Sequence, residues 1–194
     1  PYDAEAMHAL LRDVDRGETA SVAFVVPPGT TWPLPLYELA LMTAERATQA
    51  GHEVELALVP PEPRPLALFG RRAAAEVERL LAERSIAVHP SCHVRAVEDG
   101  VVRGAPGDVE IRADRVVAVP VLRGPRLHGL PCDEHGFLPV DEHGRVAGVD
   151  GVFGAGDGTT VAIKQGGVAA QQAGAAARSI ARGAGAAVGE SAFR

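Results

Sequence analysis

SVAFVVPPGTTWPLPLYELALMTAERATQAGHEVELALV, residues 21–59, decides the fold. Ser21 to Val26 is a short apolar run closed by Pro27-Pro28-Gly29, the pattern of a buried strand. From about Pro35 to Ala50 the chain predicts a helix, with proline at its start and Gly51 placed as its C′ residue. His52 to Val59 reads as a second strand. Working outward, residues 3–16 set Met7, Leu10, Leu11 and Val14 at helical spacing, and Gly17 follows as a stop. On the other side, Ala73 to Arg84 predicts a helix with Val77, Leu80 and Leu81 on one face, and Ile86 to Val88 a third strand.

Strand and helix in alternation imply a parallel sheet with right-handed crossovers, half of a dinucleotide-binding fold. After residue 92 the rhythm changes. Val94–Val97, Val101–Arg103, Val109–Arg112 and Arg115–Val119 are short β segments parted by turn residues, which predicts a small antiparallel meander. Residues 120–150, rich in Pro, Gly, His and Asp, read as a loop-like crossing. A strand Gly151–Ala155 and a helix from about Gly166 to Arg182 follow, and GAGAAVGESAFR at 183–194 is expected to fray. The expected class is α/β: a Rossmann-like parallel sheet and a small antiparallel meander, divided at about 1–118 and 119–194.

The 194 residues are 46% hydrophobic and 23% charged, an ordinary globular balance. One Trp, two Tyr and five Phe leave a core built mainly from Ala, Val and Leu. A net charge of −6 with no Lys/Arg run argues against a nucleic-acid partner. No apolar stretch approaches the roughly 20 residues that span a bilayer, and the first residues lack a signal-peptide layout, so a cytoplasmic location is expected. Cys92 and Cys132 do not make a disulfide framework.

Residues 147–168, AGVDGVFGAGDGTTVAIKQGGV, carry the chemistry. An apolar strand ends in Gly156-Asp157, and a turn leads to a helix opening at Gln165-Gly166-Gly167. A carboxylate at a strand's C-terminal edge is placed to accept hydrogen bonds from sugar hydroxyls. A helix opened by glycines presents bare N–H groups and a partial positive charge. The pair suits a polyol beside an electron-rich ring oxygen. The same residues also fit a plain strand–turn–helix joint with Asp157 as a cap.

The eleven residues Ala147 to Asp157 resemble the C-terminal FAD-binding segment of two-dinucleotide-domain flavoproteins, with Ala147 where that family usually has Thr. The following VAIKQGGVAAQQAGAAARSIA is similar to the sulfide:quinone oxidoreductase, flavocytochrome c sulfide dehydrogenase and type II NADH dehydrogenase group. The resemblance implies that Asp157, after Gly156, binds the ribityl chain of FAD. Gly166, Gly167, Val168 and Ala169 would present the helix start to the pyrimidine edge, with Lys164 and Gln165 beside the isoalloxazine ring. It implies FAD-dependent electron transfer from a small reductant to an acceptor such as a quinone, and allows a full-length relative peripheral to the membrane surface. A NAD(P)H-dependent flavoprotein dehydrogenase or disulfide reductase is one alternative. An isolated non-catalytic domain is another.

In relatives with a working nicotinamide site, an apolar strand runs through a glycine-rich turn into a helix containing Glu-Leu-Ala. Here Glu38-Leu39-Ala40 is present, but only Gly29 and Thr30 remain at the turn, within a loop stiffened by Pro27, Pro28, Pro33 and Pro35. Those prolines and Trp32 should obstruct a pyrophosphate, and the acid expected at the end of the second strand arrives late, as Glu62. Binding of NAD(P) is therefore left open, against a proline-braced turn that packs Trp32 and Tyr37. The GxGxxG turn that opens a FAD domain occurs nowhere in the chain. The sequence thus reads as lacking the N-terminal half of its FAD domain, and as carrying no stoichiometric FAD by itself. Self-association through the unpartnered strand 151–155 and helix 166–182 is expected.

Three smaller signals remain. Cys132 is a redox candidate by resemblance to sulfide-oxidising relatives, set against an incidental thiol because no CxxC is present. Asp133-Glu134-His135 and Asp141-Glu142-His143 resemble a metal repeat, but adjacent side chains in a turn diverge, so solvated turn residues and no metal are expected. Arg71-Arg72 opens a helix, where it opposes the macrodipole.

Overall fold

The computed structural model describes residues 4–30, 32–189 and 191–193, and its contacts divide the chain into Pro1–Val121 and Leu122–Arg194. Among the described residues of the first unit, α1 (Ala4–Asp15), β1 (Ser21–Val25), α2 (Leu34–Ala50), β2 (Glu55–Val59), α3 (Arg71–Glu83) and β3 (Ala87–Val88) alternate as expected. β1 and β2 pair in parallel with Phe24 opposite Leu58, and β2 pairs in parallel with β3. The helix α2 ends because Gly51 takes φ 73°, letting the His52 N–H reach back to the Ala47 carbonyl at 3.0 Å.

The two faces of β1 bury different things, as the strand period of two requires. Val22, Phe24 and Val26 pack with Leu56, Leu58, Leu36, Tyr37 and Leu81 in one cluster, which α1 joins through Leu10 and Val14. Ala23 and Val25 face the other way, against Cys92, Val94, Val102 and Ala113. Each large apolar side chain so buried contributes about 1.5–3 kcal/mol.

That second cluster is covered by an antiparallel sheet of β4 (His93–Glu98), β5 (Val101–Ala105) and β6 (Val109–Arg112). Gly104 is required there, since a Cβ at that position would lie 2.2 Å from the Cys92 sulfur. The segment expected as a fourth meander strand does something else. β7 (Arg115–Ala118) leaves the meander and pairs in parallel with β1, giving the order β3-β2-β1-β7. The reason is Asp114, whose carboxylate accepts the N–H groups of Ala20 (2.8 Å) and Ser21 (3.0 Å), while the Ser21 hydroxyl accepts the Asp114 N–H. Strand starts tied side by side in this way can only run parallel.

In the second unit, the Asp-Glu-His-Gly repeat is a repeated turn. Asp133 Oδ1 accepts from the N–H groups of His135 and Phe137, and Asp141 Oδ1 accepts in the same way from His143 and Arg145. The expected strand Gly151–Ala155 is not continuous. Gly151 turns at φ 72°, and the stretch makes single bridges only: Arg145 with Phe153 in antiparallel sense, and Leu138 with Thr159 in parallel sense farther on. The helix α4 (Gly166–Gly183) closes the unit and buries Gln172, Ala175, Ala176 and Ser179.

Candidate functional site

The Gly156-Asp157 turn is held on three sides. Gly156 takes φ 86°, a region that favours glycine, and its N–H donates to Gln172 Oε1 of α4 at 2.6 Å. The Thr159 hydroxyl donates to the Gly156 carbonyl at 2.9 Å. On the far side Leu138 N–H donates to the Gly158 carbonyl and Thr160 N–H to the Leu138 carbonyl. The Asp157 side chain stands exposed at the tip of this braced loop. A methyl placed on Gly156 would lie 3.7 Å from Ala169 Cβ, so the turn sits against the first turns of α4.

The helix opens on Gln165, whose extended backbone and side-chain oxygen cap the Val168 N–H at 3.1 Å. Gly166 and Gly167 are exposed, nothing lies within 4 Å of where a Gly166 Cβ would be, and the first turn holds no acidic residue. The positive end of this 18-residue helix thus carries no acidic side chain of its own. Val168 and Ala169 are half-buried behind it. Lys164 points inward: it is 6% exposed, its Nζ donates to the Thr159 carbonyl at 2.5 Å, and it lies 4.0 Å over the Phe137 ring. Burial holds its ammonium below the usual lysine range, a shift opposed by the charges of Asp157 and Asp133. These features fit FAD: an exposed carboxylate for polyol hydroxyls, adjoining an open, positive helix start.

Gln172 is not singled out by the sequence. A Gln seven residues beyond the helix cap, among alanines, was the available signal: a buried amide without a partner costs about 1–3 kcal/mol, so its place had to be earned by a hydrogen bond.

The degenerate turn lies in the first unit. Trp32 is buried and meets Phe69 edge-to-face at 5.6 Å. Tyr37, 1% exposed, donates its hydroxyl to Glu62 Oε1, which also accepts the Leu66 N–H at 2.9 Å. Burial first, and the Glu62 carboxylate second, push the Tyr37 phenol far above its ordinary range. Gly29 is exposed at φ 78°, Thr30 N–H returns to the Pro27 carbonyl, and Glu38 is exposed on α2. At this turn the late acid is engaged by Tyr37, and Trp32 is packed against Phe69.

Cys132 is exposed and Cys92 buried, both as free thiols. Burial pushes the Cys92 thiol up, which keeps it protonated. Among the described residues no group of His, Cys, Asp and Glu is arranged to hold a metal ion, and no helix is long and apolar enough to cross a membrane.

No curated protein sequence matches the chain. Solved structures do. The sulfide:quinone oxidoreductase of Aquifex aeolicus superposes with a TM-score of 0.81 at 22% identity over 93% of this chain and 47% of that one. LpdA of Mycobacterium tuberculosis gives 0.62 at 18% identity, over 91% and 36%. The NAD-dependent persulfide reductase of A. fulgidus gives 0.57 at 22%, over 94% and 34%. The chain therefore spans less than half the length of these proteins, and at such identities the likeness is one of fold. The family model described as pyridine nucleotide-disulphide oxidoreductase matches residues 38–173. By that match the chain belongs to the pyridine nucleotide-disulphide oxidoreductase family, whose members are FAD-dependent oxidoreductases.

Proposed function

We propose that residues 122–194 form the ribityl-and-ring side of a FAD site, and that the whole protein passes electrons from a small reductant to an acceptor such as a quinone. The observation that carries this reading is the pairing of exposed Asp157 with the start of α4, whose first turn holds no acid, registered against each other by Gln172. FAD supplies the two-electron carrier. Asp157 accepts hydrogen bonds from its polyol chain, and Gly166 and Gly167 present N–H groups whose partial positive charge favours negative charge on the pyrimidine edge. Lys164 braces the loop from behind through the Thr159 carbonyl. The pyrophosphate needs a GxGxxG turn that this sequence does not contain, so a segment bearing one completes the site.

The donor is not a nicotinamide bound at the β1–α2 turn. The Tyr37–Glu62 pair and the Trp32–Phe69 contact support that choice, because they occupy the acid and the turn that a dinucleotide would use. The acceptor choice draws its support from the likeness in fold to the Aquifex aeolicus sulfide:quinone oxidoreductase. Anaerobic titration of the flavin-loaded whole protein separates the readings. Sulfide or a small thiol should bleach the flavin band within seconds, and NADH should leave it unchanged. Prompt bleaching by stoichiometric NADH would support the NAD(P)H-dependent alternative instead.

A further inference from the structure

The 156–160 loop and the start of α4 come from chain segments with no ladder between them, yet a cofactor spanning both needs them in fixed register. Gln172 is 2% exposed and lies on the same face of α4 as Gln165, two turns further along. Its neighbours on that face are Ala175, Ala176 and Ser179, which offer the loop no hydrogen bond of their own in this structure. Its Oε1 accepts the Gly156 N–H at 2.6 Å and lies 3.5 Å from the Thr159 hydroxyl, which itself bonds the Gly156 carbonyl. One amide oxygen therefore meets both ends of the turn that projects Asp157. Gly156 cannot supply this register sterically: it has no side chain, and even a methyl placed on it would lie 3.7 Å from Ala169 Cβ.

We infer that Gln172 is a positioning residue for the flavin, setting Asp157 against the helix start through the Gly156 amide. The inference rests on the proposed flavin-facing role of residues 156–169. It deepens that role by assigning the register of the two halves to a buried side chain of α4. A neutral acceptor suits the task, since it bonds the amide without adding a negative charge beside Asp157.

The test has two arms. In the unsubstituted 194-residue chain, the Gly156 amide proton should resonate downfield and exchange slowly, while the Asp157 amide exchanges freely. Gln172→Leu should speed Gly156 exchange at least roughly tenfold with α4 still protected, and Gln172→Glu, which keeps an acceptor oxygen, should retain the protection. A fast-exchanging Gly156 in the unsubstituted chain, or unchanged protection in Gln172→Leu, overturns the clamp. In the flavin-loaded whole protein, Gln172→Leu should lower flavin retention roughly tenfold and move the flavin absorbance band, and Gln172→Glu, which keeps the acceptor but adds a charge beside Asp157, should recover only part of the retention. If Asp157→Ala releases flavin but Gln172→Leu does not, the positioning role fails. If neither releases flavin, the underlying reading of residues 156–169 fails instead.

Discussion

Replacing Tyr37 by Phe removes one oxygen from a buried site and leaves the ring packing in place. In the parent the Tyr37 hydroxyl donates to Glu62 Oε1, and Glu62 also receives the Leu66 N–H. A hydrogen bond to a charged acceptor is worth about 1.5–3 kcal/mol, so Tyr37→Phe should destabilise the chain by that amount near neutral pH. For a chain of this size that is a fall of roughly 3–12 °C in Tm. The pH dependence identifies the cause. An unfolded tyrosine releases its proton near pH 10, whereas burial and Glu62 make the folded Tyr37 keep it well beyond that point. The folded state then binds more protons than the unfolded one, so the phenol's contribution is complete below about pH 10 and is lost as the pH rises further, at about 1.4 kcal/mol per unit. Tyr37→Phe has no such group. Urea unfolding of both chains at pH 8, 10 and 11 should therefore find a gap that narrows above pH 10. A gap that stays constant to pH 11, or no gap at pH 8, would refute the reasoning.

Three other outcomes are expected. Asp114→Ala should unfold at lower urea, because it frees the Ala20 and Ser21 amides that tie β1 to β7. These two amides hold the Asp114 carboxyl below its usual range, so the parent's stability should fall as the pH drops through about 4 and below, and that part of the acid limb should be missing in the variant. Gly104→Ala should cost about 1–3 kcal/mol in urea unfolding, since its Cβ meets the Cys92 sulfur, and the second change Cys92→Ala should recover part of the loss. Residues 1–121 expressed alone should give native circular dichroism and one cooperative thermal transition; a featureless spectrum would show that this unit needs residues 122–194.

Local pattern made the α/β class legible: apolar runs, the Gly51 stop and the Pro-rich turn all act within a few residues. The placement of β7 was hidden because Ala113-Asp114 has the look of a tight hairpin turn. What directs the strand is a carboxylate capturing amides 93 and 94 residues away, which no local pattern encodes. Residues 151–155 depart from the expected strand for a related reason: their apolar side chains mark burial, but Gly151 and the isolated bridge at Phe153 set the path. At the site, Asp157 and the Gln165-Gly166-Gly167 opening could be picked out because their residue types announce their chemistry. The inward turn of Lys164 onto Phe137 and Thr159 could not, since a lysine's direction depends on what surrounds it. Glu62 likewise looked only late for a ribose; its engagement with Tyr37 is a contact across 25 residues.

Flavin stoichiometry in the whole protein, measured by absorbance with Asp157 intact and as Asp157→Ala, bears most directly on the proposed site. The intact protein should carry about one FAD per chain, and the variant, gel-filtered at the same concentration, less than roughly a tenth of that, reflecting loss of the charged acceptor for the polyol. A variant that folds normally and keeps its full complement of FAD would contradict the assignment of the Gly156-Asp157 turn and the α4 start as a flavin site.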